Sequence, residues 1–221
     1  MKQSKTRKKT CVFLKRAVHF TALVAAAGLL TGLFTGCPQK IDGGPSSGGG
    51  AQSGPDPNLR IEGTVLMGYN EIPAGVLNIP AGVTEIAGSA FENCTSLTSV
   101  NFPSSLKKIG GSAFYGCTGL TSLALPASLE HIGSQAFGGC TEIAGTVSIP
   151  AHLKTIGYAA FSGCKKVSGF DFSSCTQLTS IGDRAFSGCT AATYKVKSGS
   201  SIRNLLLNSQ SGITLSQIIE E

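Results

Sequence analysis

The chain of 221 residues has no tryptophan, two methionines, three histidines and only 14% charged side chains. Each shortage excludes something. So low a charged fraction, beside 29 glycines, argues against a coiled coil and against a charge-rich disordered chain. His19, His131 and His152 leave little material for acid–base or metal chemistry. H-E-x-x-H, the P-loop pattern, G-x-G-x-x-G and C-x-x-C are all missing, and with them the spacings that bind zinc or cradle phosphates. Acidic residues are absent from residues 1–36, which hold seven of the eighteen lysines and arginines. The formal charge of +6 therefore belongs to that segment. From Cys37 onward eleven basic residues meet twelve acidic ones, a net of −1. Lys107 with Lys108 and Lys165 with Lys166 are isolated pairs, so no basic face for nucleic acid is expected.

The N-terminal segment reads as an address. A basic stretch, Met1 to Arg16, precedes an apolar run from Ala17 to Phe34, the order of a secretory signal. A transmembrane anchor competes with that reading, because a run of about 18 residues sits at the lower edge of what spans a bilayer. The junction Leu33-Phe34-Thr35-Gly36-Cys37 decides for the signal. It resembles a bacterial lipobox, with a small residue before a cysteine that is acylated, although Phe34 stands where leucine is usual. Residues 1–36 are thus a lipoprotein signal peptide, and Cys37 is the expected lipidation site. Residues 37–57 follow as a tether: Pro38–Pro57 carries six glycines, four prolines and three serines, too little apolar surface to fold. A membrane-anchored lipoprotein of the outer membrane and cell surface is the expected location.

Past the tether the chain repeats. Phe91, Phe114, Phe137, Phe161 and Phe186 are spaced 23, 23, 24 and 25 residues apart. Each follows an alanine and precedes, by three positions, a cysteine: Cys94, Cys117, Cys140, Cys164 and Cys189. Isoleucine stands five residues before each phenylalanine, usually with glycine after it, and Pro80, Pro103, Pro126 and Pro150 mark the first four repeats. In Leu97–Gly119 the apolar spacing is neither 3.6 nor 2.0 throughout. Leu97, Val100 and Phe102 fit a short strand that the next proline ends, and Leu106–Phe114 adds a second short extended piece before a tight turn. A unit this short cannot bury its apolar side chains alone, so successive units stack. The expected fold is a repeat solenoid, mostly β with short turns, with phenylalanine and cysteine columns inside.

The L-x-x-V-x-F-P and I-G-x-x-A-F-x-x-C halves resemble the leucine-rich repeats of BspA-like (Treponema pallidum type) bacterial surface proteins. The expected organisation is an atypical N-terminal coil at 58–75, a leucine-rich repeat array at 76–192 and a C-terminal cap at 193–221. The resemblance implies adhesion to host matrix proteins, host-cell attachment or coaggregation. It also implies that the cysteine column serves backbone groups at the turn.

Eight cysteines in an exported chain invite disulfides, but here position separates them. Cys11 leaves with the signal, Cys37 takes lipid, five share one column, and Cys175 lies in a two-residue insertion of the fifth repeat. Parallel Cβ vectors within a column suit a disulfide poorly, so free structural thiols are expected. No catalytic residue, metal or cofactor is assigned. His131 and His152 fall at variable surface positions, and Asp171 and Asp183 have no matched partner for glycosidase chemistry. Tyr115 and Tyr158 are exposed-aromatic candidates. The candidate binding face is the outward side of the strands: Asn78, Thr98, Ser99, Asn101, Thr121, Ser122, Ser148 and Asp171. These side chains are small and polar, unlike the anchors of tight interfaces. The reading is a lipid-anchored, surface-displayed binding protein for host or bacterial surface proteins, with no small-molecule substrate and no enzymatic activity. A periplasm-facing envelope protein with a structural or interaction role shares every one of these features.

Overall fold

The computed structural model describes residues 56–221. The signal segment 1–36, Cys37 and the tether as far as residue 55 lie outside the described residues. Along the chain come β1 (Leu59–Glu62), β2 (Val65–Tyr69), β3 (Gly75–Asn78), β4 (Glu85–Ile86), β5 (Leu97–Asn101), β6 (Lys108–Ile109), β7 (His131–Ile132), β8 (Gly145–Ser148), β9 (Thr155–Ile156), β10 (Val167–Asp171), β11 (Ser180–Ile181) and β12 (Thr193–Val196). Helix α1 (Ile202–Asn208), a 3₁₀ turn at Leu215–Gln217 and β13 (Ile218–Glu220) complete it. These elements wind into a β-solenoid of about seven turns. Among the described residues no helix is long and apolar enough to cross a membrane.

One wall is a seven-stranded sheet in the order β1-β2-β4-β6-β7-β9-β11. It is parallel except at its start, where β1 and β2 form an antiparallel hairpin. Gly63, at φ +60, occupies the first place of that two-residue turn, which favours glycine. The opposite wall is divided into a pair, β3-β5, and a four-stranded sheet, β13-β12-β10-β8. The third repeat breaks it, because Leu120–Leu125 forms no strand. Its centre, Leu123-Ala124-Leu125, has neither β-branched nor aromatic residues. Neighbouring repeats place Val100, Val147 and Phe170 there, side chains that favour extended backbone.

The turn side shows no such break. After each Ile-Gly the chain makes overlapping turns: in the second repeat Ala113 N–H donates to Gly110 O, Tyr115 to Ser112 and Cys117 to Phe114, at 3.3, 3.1 and 3.3 Å. The residue before each alanine is left-handed although it is never glycine (Ser89, Ser112, Gln135, Ala159 and Arg184, φ 51–58°). That twist aims three N–H groups at the next coil. Ser112, Phe114 and Gly116 donate to Ser134, Ala136 and Gly138, each at 2.8 Å, and the pattern recurs coil by coil. The glycine after isoleucine has a steric reason. A Cβ on Gly110, Gly133, Gly157 or Gly182 would stand 2.5–2.6 Å from backbone of the coil before. Ala87 is allowed at that place in the first repeat, where the preceding coil is the extended β2.

The core is the space between the walls. Phe91, Phe114, Phe137, Phe161 and Phe186 are buried and stack face to face, centroids 5.3, 5.4, 5.4 and 5.7 Å apart. Each buried ring contributes about 1.5–3 kcal/mol through burial and about 0.5–1.5 kcal/mol through stacking. Tyr69 begins the column, 5.8 Å from Phe91, so the atypical first coil supplies an aromatic of its own.

The stacking runs on through the segment expected as a cap. Strand β12 pairs in parallel with β10, and β13 with β12. Helix α1 closes the last coil, burying Ile202 and Leu206. Two turn-side donors that would otherwise be orphaned find partners there. Arg184 N–H reaches Ser209 O at 2.6 Å and Phe186 N–H reaches Ser211 Oγ at 3.1 Å.

Candidate interaction surface

The strand wall brings the candidate residues together in two patches. In the first, Asn78 is paired across the ladder with Asn101, and Asn101 Nδ2 donates to Asn78 Oδ1 at 2.7 Å. Beside them Thr121 N–H and Oγ1 both bond Thr98 O, at 3.0 and 3.3 Å. Thr98, Thr121 and Ser122 are exposed, and Ser99, opposite Val76, is half-buried. In the second, Ser148 stands beside Asp171, and Asp171 beside Lys195. Ala124 lies between the patches, in the segment that is not a strand.

Asp171 is partly enclosed, which works against its charge. Hydrogen bonds from Ser173 and the nearby Lys195 ammonium outweigh that cost and hold its carboxyl below the ordinary value. Lys195 is in turn paired with Glu221 at 2.7 Å. Sequence reasoning missed Lys195 and Ile219, which extend the Asn78–Asp171 column through β12 and β13. The phenylalanine period stops before them. Their one signal was alternation in Thr193-Tyr194-Lys195-Val196, where Tyr194 and Val196 are buried.

The other wall carries ion pairs of its own. Glu130 is paired with Lys107 and Lys154, and Glu85 with Lys108 at 2.8 Å, each partner one coil away. At the entry to the strand wall, just before β10 and β8, Lys166 meets Glu142 of the preceding coil in the same manner. Such exposed pairs contribute little to stability, but they neutralise the basic positions locally. His131 Nδ1 lies 2.9 Å from Thr155 Oγ1, and exposed His152 Nδ1 lies 3.3 Å from Gln177 Nε2. Asp171, on a strand, and Asp183, in a turn, belong to different faces. Among the described residues no group of three or more His, Cys, Asp or Glu could hold a metal ion.

The cysteine column is internal and tied to the backbone. Cys117, Cys140, Cys164 and Cys189 donate their S–H to the carbonyls of Phe91, Phe114, Phe137 and Phe161, each one coil earlier, at 3.1, 3.1, 3.3 and 3.1 Å. Cys94 has no phenylalanine below it and meets the Tyr69 hydroxyl instead, which raises that phenol to about 12. Burial pushes the Cys94 thiol up. Contact with the next thiol in the column, then burial, does the same for Cys117 and Cys164. All six described cysteines are free and buried. Cys175 belongs to a different row. Its Sγ lies 3.8 Å from Leu153 O, the relation that Ser105 Oγ has to Val83 O and Ser128 Oγ to Leu106 O, at 2.7 and 2.6 Å. Aligned on Leu178, the place of those serines falls to Gln177, so Cys175 fills the row from two positions upstream.

No curated protein sequence is significantly similar to this chain. Among solved structures it is similar to a leucine-rich repeat protein from Eubacterium ventriosum, with TM-score 0.52 and 25% identity over 63% of this chain and 39% of that one. It also matches the T. pallidum leucine-rich repeat protein (TM-score 0.41, 20% identity, 71% of this chain and 89% of that). A third match is a leucine-rich cell surface protein from Faecalibacterium prausnitzii (TM-score 0.42, 23% identity, 64% and 55%). The chain thus spans about two fifths of the E. ventriosum protein. The sequence profile of the BspA type leucine-rich repeat region matches residues 69–193 and 143–214, in six copies. With the aromatic column starting at Tyr69 and the parallel stacking running past residue 192, the chain belongs to the BspA-type leucine-rich repeat family.

Proposed function

We propose that this protein is a lipid-anchored adhesion module, held on the bacterial surface through Cys37 and binding host or bacterial surface proteins with its strand wall. The observation carrying this reading is the contrast within each coil. The turn side repeats nearly the same residues, whereas the strand side varies from Asn78 and Asn101 to Ser148, Asp171 and Lys195. A repeat scaffold that holds its stack constant while its outer face changes suits recognition of a macromolecule. The small polar side chains there favour a weak single contact, strengthened by the density of anchored copies. No cofactor, metal or substrate chemistry enters this role.

The test is a solid-phase assay of the mature chain against immobilised matrix proteins such as fibronectin and fibrinogen. Saturable binding, reduced at least tenfold in an Asn101→Arg, Asp171→Arg double variant, is expected. Absence of saturable binding to every matrix and bacterial-surface preparation contradicts the adhesion reading. Protease shaving of intact cells addresses location: removal of the domain is expected, and its survival points to the periplasm-facing alternative.

A further inference from the structure

The turn side carries two exposed tyrosines that the stack itself does not require. Tyr115 (37% exposed) and Tyr158 (46%) belong to the second and fourth repeats. Other repeats fill the first of these outward places with Glu92, Ser162 or Ser187, and the second with Gly88, Ser134 or Asp183. Tyr115 is seated on the next coil. Its Cδ2 and Cε2 lie 3.0 and 3.3 Å from where a Cβ on Gly138 would stand. Gly138 has no left-handed φ, and no backbone of a neighbouring coil crowds it. Its missing side chain makes room for the ring. Toward the seven-stranded wall runs a shallow groove of about 420 Å³, lined by the backbone of Gly110, Gly111 and Gly133 and by Lys108, His131 and Thr155. Ser112 N–H bonds Ser134 O and Gln135 N–H bonds Tyr158 O, so Gly111, Ser134 and Tyr158 share one row, and the groove opens along it. The face around the tyrosines is uncharged. The turns 110–118, 133–141 and 157–164 contain no Asp, Glu, Lys or Arg, whereas Glu92 bounds them in the first repeat and Asp183 and Arg184 in the fifth. Lys108, at the groove, is neutralised by Glu85 at 2.8 Å.

We infer that this face binds an uncharged glycan, Tyr115 and Tyr158 each stacking on a sugar ring and the groove taking the chain between them. Size and chemistry both select that partner. Three coils at about 4.8 Å each make an uncharged patch roughly 14 Å long. A stable protein interface needs about 800 Å² from each side, a square roughly 28 Å across, and would have to cover the charged first and fifth turns as well. A few sugar rings fit within the uncharged coils. A pyranose has an apolar C–H face and a rim of hydroxyls, and a tyrosine matches it with an apolar ring and a polar tip. Ser134, Gln135 and Ser162, all at least partly exposed, supply donors and acceptors without charge. The support is rigid, because Phe114 and Phe137 N–H are bonded to the next coil at 2.8 Å and Tyr115 rests on Gly138, so little is lost in ordering the site. The face is separate from the strand wall, so the inference stands whether or not that wall binds protein.

The experiment is affinity electrophoresis of the full chain in native gels containing hydroxyethylcellulose, a β-1,3-glucan, mannan or dextran, with anionic alginate as the opposing probe. Retardation by at least one neutral polysaccharide and none by alginate is expected. Tyr115→Ala and Tyr158→Ala should each weaken that retardation at least tenfold, while Tyr115→Phe, which keeps the ring, retains most of it. Gly138→Ser tests the seat: the fold accepts serine there, as Ser162 and Ser187 show, yet the ring must shift, and at least a threefold loss is expected at an unchanged urea midpoint. Asn101→Arg with Asp171→Arg, on the strand wall, should leave retardation as it was. No retardation by any neutral polysaccharide, equal retardation by alginate, or full retardation of the Tyr115→Ala, Tyr158→Ala double variant would each overturn the inference. Loss of matrix-protein binding in that double variant, with no effect on polysaccharide, would assign the face to a protein instead and overturn it too.

Discussion

The turn side and the strand side of this solenoid are built from the same coils, yet they differ in how strictly each coil must copy the last. On the turn side an error propagates. The phenylalanine rests on the ring before it, the cysteine thiol bonds the previous phenylalanine carbonyl, and the glycine lies against the previous backbone. On the strand side one repeat loses its strand altogether and the stack continues. The invariant part of the repeat is therefore the part that cannot tolerate a neighbour of another shape. The variable part is the part free to recognise something else.

Four experiments break or sharpen that contrast. Phe137→Ala, in mid-column, should cost about 3–5 kcal/mol in urea unfolding, whereas Ser122→Ala, beside the broken strand, should stay within about 0.5 kcal/mol. Equal costs would remove the distinction between the two sides. Gly133→Ala comes next, because its Cβ would stand 2.5 Å from Gly111 N and 2.6 Å from Gly110 C. Overpacking against backbone is expected to cost about 1–3 kcal/mol, read as a lower urea midpoint with an unchanged slope.

The third concerns pH. The thiols of Cys94, Cys117 and Cys164 are raised in the folded chain, while unfolded thiols titrate near 8.5. The native state then holds protons that the unfolded state releases. The stabilisation is fully present below about pH 8.5 and is lost as pH rises above it, by up to about 1.4 kcal/mol per pH unit for each thiol. Urea midpoints at pH 7 and pH 10 should differ accordingly, and Cys117→Ser should remove one thiol's share of the slope. Thiol titration without reductant checks the same column: the described cysteines should be unreactive in the native chain and free after unfolding. The smallest effect is expected at Ser112, left-handed at φ +55 and with no hydrogen bond from its side chain among those described. Ser112→Gly should stabilise by about 0.5 kcal/mol, as relief of the left-handed backbone exceeds the entropy that glycine adds to the unfolded chain.

The turn side was legible in the sequence for the same reason that it is rigid. Identical contacts demand identical residues, so Ala-Phe-x-x-Cys at a steady period named the solenoid, its aromatic column and its family. What escaped lay where the contacts are made differently. Tyr69 opens the phenylalanine column as a tyrosine and hides behind a hairpin. Cys175 does the work of Ser105 and Ser128 two positions out of step. Lys195 and Ile219 continue the outer column after the phenylalanines have ended, because α1 and the Ser209–Ser211 turn replace the repeat's own closing residues. The break at Leu123-Ala124-Leu125 was also out of reach. The repeat pattern admits leucine there, and only the missing pairing reveals what the loss of a β-branched residue does.

Amide hydrogen exchange across the second and third repeats tests the central contrast most directly, since one measurement reads both sides of the same coils. Phe114 and Phe137 N–H, each bonded at 2.8 Å to the next coil, should be protected to near the global unfolding free energy. The amides of Ser122–Leu125, which pair with neither neighbouring strand, should exchange at least a hundredfold faster. Equal protection of the two sets, or slower exchange over Ser122–Leu125, would contradict the account.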